Sequence, residues 1–207
     1  MRSKELIAAL HASTGIPAGE IELKVRRLRE NKLFTRETRS PNSPRPTVED
    51  IANLLLMILS EAPALYAKEI IERGWDMEID RYSIVEEGGR KLPGRLDILL
   101  KSHSFLDALQ MLLHEAIDNP HWFSDDSAFA GYRDTSVSFD RQEFTGRIIF
   151  EFDEGYGGPA SETLLILNCD YGGRSASVAS SRFRQVNLIE ATLFGDIAAA
   201  WHREEGE

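Results

Sequence analysis

Only one cysteine, Cys169, occurs in the 207 residues, so neither an intramolecular disulfide nor a multi-thiolate metal site can form within one chain. It ends the run Leu164-Leu165-Ile166-Leu167-Asn168-Cys169, where a buried, inert thiol is expected rather than a nucleophile. Long apolar runs are also missing. The longest, Leu54-Leu55-Leu56-Met57-Ile58-Leu59, falls far short of the ~20 residues that a membrane span requires, and no transmembrane helix is expected. The apolar stretch Leu6 to Leu10 is cut by His11, too early for a secretory h-region, so a cytoplasmic location is expected.

Catalytic motifs are absent as well. His114-Glu115 lacks the second histidine of a zincin, because position 118 is Asp118. A looser set, His114, Asp118, His121, Asp125 and Asp126, would share a helix face only if Asn119-Pro120 did not end the helix, and Pro120 should end it. Gly155-Tyr156-Gly157-Gly158 lacks the Gly-Lys-Ser/Thr of a phosphate loop and follows Asp153 and Glu154, which repel phosphate. No Gly-x-Ser-x-Gly elbow occurs, and the serines from Ser175 to Ser181 have no histidine nearby. The aromatic residues Trp122, Phe123, Phe129 and Tyr132, like Trp75 and Trp201, read as core. The chain is therefore expected to have no catalytic residues, no metal and no cofactor.

What is present is an asymmetry of charge. The first 46 residues carry ten Lys/Arg against five Asp/Glu, whereas the chain as a whole has a net charge of −10. The pattern suggests a basic module, residues 1–46, attached to an acidic body, residues 47–207. Lys24, Arg26, Arg27, Arg29 and Lys32 follow one another along an expected amphipathic helix, residues 17–31, whose apolar side is Ile21, Val25 and Leu28. Arg36, Arg39 and Arg45 lie in RETRSPNSPRP, which has three prolines and no apolar anchor and reads as a loop or mobile arm. Arginines on a helix that enters a major groove can bond guanine edges, and cations in an arm can neutralise phosphates. Arg26, Arg27 and Arg29 are thus candidates for the groove, and Lys24, Lys32, Arg36, Arg39 and Arg45 for phosphates, on double-stranded DNA. The same basic face reads equally as the solvated side of a structural helix, with Glu22 and Glu30 as i,i+4 partners of Arg26.

Leu28-Arg29-Glu30-Asn31-Lys32-Leu33-Phe34 resembles the helix end of winged-helix regulators, with Asn31-Lys32 where a glycine is more usual. That resemblance covers residues 3–36. The whole chain resembles proteins carried by phages and prophages, in Thr47-Val48-Glu49-Asp50-Ile51-Ala52-Asn53-Leu54-Leu55 and in Arg184-Gln185-Val186-Asn187-Leu188-Ile189-Glu190-Ala191-Thr192-Leu193. That resemblance supplies a context and not an activity; the basic helix leads to the expectation of a DNA-binding transcriptional regulator or nucleoprotein factor, and because one short helix makes few specific contacts, a homo-oligomer is expected. The alternative is an assembly or anti-defence factor that binds a protein partner through the acidic body without catalysis.

The remaining pattern predicts an α+β fold, with a small N-terminal winged-helix-like module followed by helices packed on an antiparallel sheet. A first helix is expected over 3–13. Thr47 and Asp50 form a capping box for a helix over 48–60, a helix over 64–73 stops at Gly74, and Ser104 caps a helix that ends before Pro120. Residues 76–95 read as polar turns. The period then changes to two, predicting a hairpin from Val137-Phe139 and Ile148-Phe150-Phe152, a strand at 164–168 and another within 175–186. Asn187 is expected to cap a last helix carrying Ile189, Leu193, Ile197 and Trp201.

Overall fold

A computed structural model describes residues 1–38, 40, 43–86, 96–120, 132–140, 143–153, 164–172 and 186–203. Among the described residues, six α-helices and five strands follow one another as α1 (Ser3–Thr14), α2 (Ala18–Glu30), α3 (Val48–Leu59), α4 (Ala67–Trp75), β1 (Ile79–Glu86), α5 (Phe105–Asp118), β2 (Tyr132–Asp140), β3 (Thr145–Asp153), β4 (Leu164–Tyr171), β5 (Val186–Glu190) and α6 (Ala191–His202). Short 3-10 helices stand at Ala64–Tyr66 and Leu96–Lys101. The α+β class is as expected.

The strands form one antiparallel sheet in the order β1-β4-β3-β2-β5. Register aligns Val137 with Ile148 and Ile148 with Cys169, and the next inward row aligns Phe139, Gly146 and Tyr171. Both rows are buried, because alternate residues of a strand face the same side. Phe105, the first residue of α5, lies over the second row, with ring centroids 5.9 Å from Phe139 and 5.5 Å from Tyr171. Glycine at 146 makes room for it: a Cβ there would come within 2.5–2.8 Å of the Phe105 ring. The Tyr171 hydroxyl hydrogen-bonds Ser102 Oγ at 2.9 Å, and burial raises its pKa above the ordinary phenol value.

α3 is the central helix, buried at every residue except Glu49. Its start is the expected capping box: Asp50 N–H donates to Thr47 Oγ1 at 3.2 Å and Thr47 N–H donates back to Asp50 Oδ2 at 2.7 Å. Ser104 likewise caps α5, accepting from Asp107 N–H at 3.1 Å. Leu6 and Leu10 of α1, with Ile21, Val25 and Leu28 of α2, belong to the same hydrophobic core as α3, α5 and α6. Residues 1–46 therefore share one core with the chain that follows.

Several expectations need correction. Residues 79–86 are a strand, not part of a polar turn region, and β1 pairs with β4 at the sheet edge. Asn187 does not cap a helix: it and Ile189 lie in β5, which pairs with β2, and α6 starts only at Ala191. Gly74 does not stop α4 but lies inside it, where a Cβ would collide with Leu56 Cδ2 on α3. Trp75, read as core, is 42% exposed. The turns at Gly88-Gly89 and Pro93-Gly94, the aromatic stretch 121–131, the glycine loop from Gly155 and residues 175–185 lie outside the described residues.

Candidate nucleic-acid interface

The basic helix α2 sorts its cations by their angle around the axis. At 100° per residue Lys24 stands about 40° from Leu28, and Arg29 about 40° from Val25, so both lie at the margins of the buried arc. Lys24 turns inward: it is 4% exposed, and its ammonium donates to the Ala62 carbonyl at 3.0 Å, with Glu20 at 3.9 Å. It is not presented to phosphate, contrary to expectation.

Arg29 is also drawn into the fold. Its Nε donates to the Thr35 carbonyl at 3.1 Å, its Nη2 donates to Ser3 Oγ at 2.6 Å, and Glu37 lies 3.5 Å away. The guanidinium also sits 5.3 Å from the centroid of the buried Phe34 ring. Glu37 completes the cluster by accepting from Ser3 N–H at 2.7 Å and Ser3 Oγ at 2.9 Å. The groove role expected for Arg29 is replaced by a structural one, tying together α1, α2 and the segment beyond.

Arg26 and Arg27 do face solvent, their side chains 75% and 42% exposed. Both bond Glu30, Arg26 Nε at 3.1 Å and Arg27 Nη1 at 2.5 Å, and the two guanidinium groups hold that carboxyl below its usual pKa. A lowered carboxyl pKa favours the fold above the ordinary carboxylate range, and that contribution fades as pH falls through the lowered value. Because Glu30 lies at the surface, the effect on stability is small.

Lys32, Arg36 and Arg45 are exposed, and Arg39 lies outside the described residues. Lys32 occupies the left-handed position of a Schellman cap at φ 62°, with its N–H donating to Arg29 O at 3.1 Å and Leu33 N–H to Leu28 O at 2.9 Å. Lys32→Gly is therefore expected to stabilise the protein by about 0.5–1 kcal/mol, read as a higher thermal midpoint, by relieving the Cβ strain of that conformation.

The segment read as a mobile arm, residues 36–46, is held at Glu37 by Ser3 and is bordered by further hydrogen bonds. Thr35 N–H donates to Asp50 Oδ1 at 2.8 Å, Asn53 Nδ2 to Leu33 O at 3.1 Å, and Thr38 N–H to Ser43 Oγ at 2.5 Å. Phe34, Ser43 and Pro46 are buried. Local spacing marked Asp50 as a cap only. Its second partner, Thr35, is fifteen residues away, and nothing in the sequence pattern announces that contact.

His114 and Asp118 are exposed on α5, while His121, Asp125 and Asp126 lie outside the described residues. Among the described residues no three His, Cys, Asp or Glu side chains are grouped to hold a metal ion, and no helix is long and apolar enough to cross a membrane. No protein family matches the chain, and neither does any curated protein or solved structure.

Proposed function

We propose that this chain binds double-stranded DNA through the exposed cations running from α2 into α3, as a phage- or prophage-type regulator or nucleoprotein factor that acts by binding and not by catalysis. One observation carries the reading: Arg26, Arg27, Lys32, Arg36 and Arg45 all remain on the surface of this one connection, in a chain of net charge −10. Of α2 and α3, α2 is the helix to offer to a groove, since α3 is buried nearly throughout. One such helix provides few specific contacts, which favours a homo-oligomer placing two copies on the duplex with the acidic remainder turned away.

The test is fluorescence anisotropy with a mixed-sequence duplex at several salt concentrations, comparing wild type with Arg26→Ala/Arg27→Ala. Affinity should fall as salt rises, and the variant should bind about tenfold or more weakly at low salt. Glu30→Gln, which releases both arginines from their carboxylate partner, should bind more tightly than wild type. Equal affinity in all three proteins defeats the reading.

A second reading has its own observation. Leu65 and Tyr66, on the 3-10 turn before α4, are 72% and 50% exposed beside a cleft of about 260 Å³ lined in part by Ala62, Pro63, Ile70 and Phe144. An exposed apolar surface of this kind suits a protein partner. Failure of the wild type to bind any duplex at low salt moves the function to such a partner.

A further inference from the structure

Leu65 and Tyr66 are large side chains that the fold leaves outside, on a turn that is itself fixed. Pro63 sets its start, Tyr66 N–H donates to Pro63 O at 2.9 Å, and Ala67 N–H donates to Ala64 O. Just before it, Ala62 N–H donates to Ser60 Oγ at 3.3 Å, and Ala62 O accepts from Lys24 at 3.0 Å. Leu65 therefore stands on a pre-formed protrusion. The neighbouring cleft has buried Ala62, Ile70 and Phe144 in its lining, with exposed Tyr66, Glu69 and Arg73 beside them. Glu69 and Arg73 are four residues apart, hence on one face of α4, yet neither has an ion-pair partner among the described residues. Arg73 instead lays its guanidinium 3.6 Å from the centroid of the Phe144 ring. Stacking of that kind uses the face of a guanidinium and leaves its N–H edge for a carboxylate.

We propose that this surface binds a second copy of the chain about a twofold axis, each copy setting its Leu65 into the cleft of the other and its Glu69 against Arg73 of the other. A twofold interface uses the same patch on both subunits, so the patch must be complementary to itself. This one meets that condition in shape and in charge: it carries a protrusion beside a recess, and an unpaired acid one helical turn from an unpaired base. When α4 meets its own copy running antiparallel, each acid faces a base, and the arrangement occurs twice. An aliphatic side chain closed into a pocket and ringed by polar groups is the usual anchor of such a contact. The inference goes beyond the DNA-binding reading and stands without it, while supplying the homo-oligomer which that reading calls for. Because Ala62 ties the cleft to Lys24 of α2, the two basic helices would lie close beside the axis.

Sedimentation of the full chain over a concentration series, without DNA, tests this, with circular dichroism to confirm folding. Wild type should pass from monomer to dimer as concentration rises. Leu65→Asp changes only an exposed side chain, should fold as wild type, and should weaken the dimer about thirtyfold or more. Glu69→Arg and Arg73→Glu, each alone, set like charges against each other and should weaken it about tenfold or more. Mixed in equal amounts, those two variants should dimerise again, because every acid then faces a base on the other chain. If Arg73→Glu fails to fold for want of its Phe144 contact, Leu65→Asp and Glu69→Arg decide by themselves. A wild type that stays monomeric up to about 1 mM overturns the inference, even if a foreign protein occupies the cleft. Dimers of wild-type strength in Leu65→Asp and Glu69→Arg overturn it too. Duplex binding by a monomeric wild type leaves the DNA reading standing without this dimer; a dimer that binds no duplex does the reverse.

Discussion

Phe105→Ala is expected to destabilise the protein by about 4 kcal/mol, seen in a urea titration as a shifted midpoint with little change of slope. Phe105 is fully buried, and its ring lies across the Phe139-Gly146-Tyr171 row of the sheet. Removing the ring leaves a void that is hard to close. Gly146 has no side chain to move into it, and the neighbouring strands are fixed by their ladder on both sides. The backbone hydrogen bond from Phe105 N–H to Met77 O at 2.9 Å survives the substitution, so the loss measures packing and cavity. The same variant should let Tyr171 ionise at lower pH, since burial is the main cause of its raised pKa. In the wild type a raised phenol pKa means that this contribution to stability is complete below about pH 10 and is lost as pH rises beyond it. A stability change under about 1 kcal/mol would place Phe105 outside the core.

Arg29→Ala is expected to lower stability by about 2–3 kcal/mol, whereas Arg26→Ala on the same helix should stay within about 0.5 kcal/mol of wild type. The contrast follows from their partners. Among the described residues Arg26 meets only Glu30 at the surface, but Arg29 joins Thr35 O, Ser3 Oγ, Glu37 and the Phe34 ring. Without Arg29, Glu37 keeps its bonds to Ser3 but loses its counter-ion in a part-buried site. Lysine should not restore stability, because one ammonium cannot reproduce the planar stacking and the divergent hydrogen bonds of a guanidinium. Thermal melts of the three variants check this. An unchanged melt for Arg29→Ala combined with lost duplex binding would return Arg29 to the groove.

The helices and their caps were legible because their signals are local. The Thr47-Asp50 box and the Ser104 cap each span only four residues, and Ile21, Val25 and Leu28 repeat at the helical period. The two misread strands depend on partners far along the chain. β1 takes its place by pairing with β4, some eighty residues later. β5 contains Ile189, which continues the i,i+4 series of Leu193 and Ile197 backwards and imitates a helix, until pairing with β2 prevails over that local period. The candidate interface divides in the same way. That α2 is basic and amphipathic could be read directly, but which cations turn inward could not. Lys24 and Arg29 stand at the edge of the buried arc, and their inward turn depends on acceptors at Ala62, Thr35 and Ser3.

The first helix and the last helix touch. α1 packs on α6, and Ser13 Oγ donates to Asp196 Oδ2 at 2.5 Å across 183 positions of sequence. During synthesis, α1 leaves the ribosome long before the surface it packs on exists. At about 5–20 residues per second it waits on the order of ten seconds or more with part of its apolar side uncovered. Folding is completed only when α6 arrives, and a nascent chain stalled before residue 191 should be open to protease at its N-terminal end.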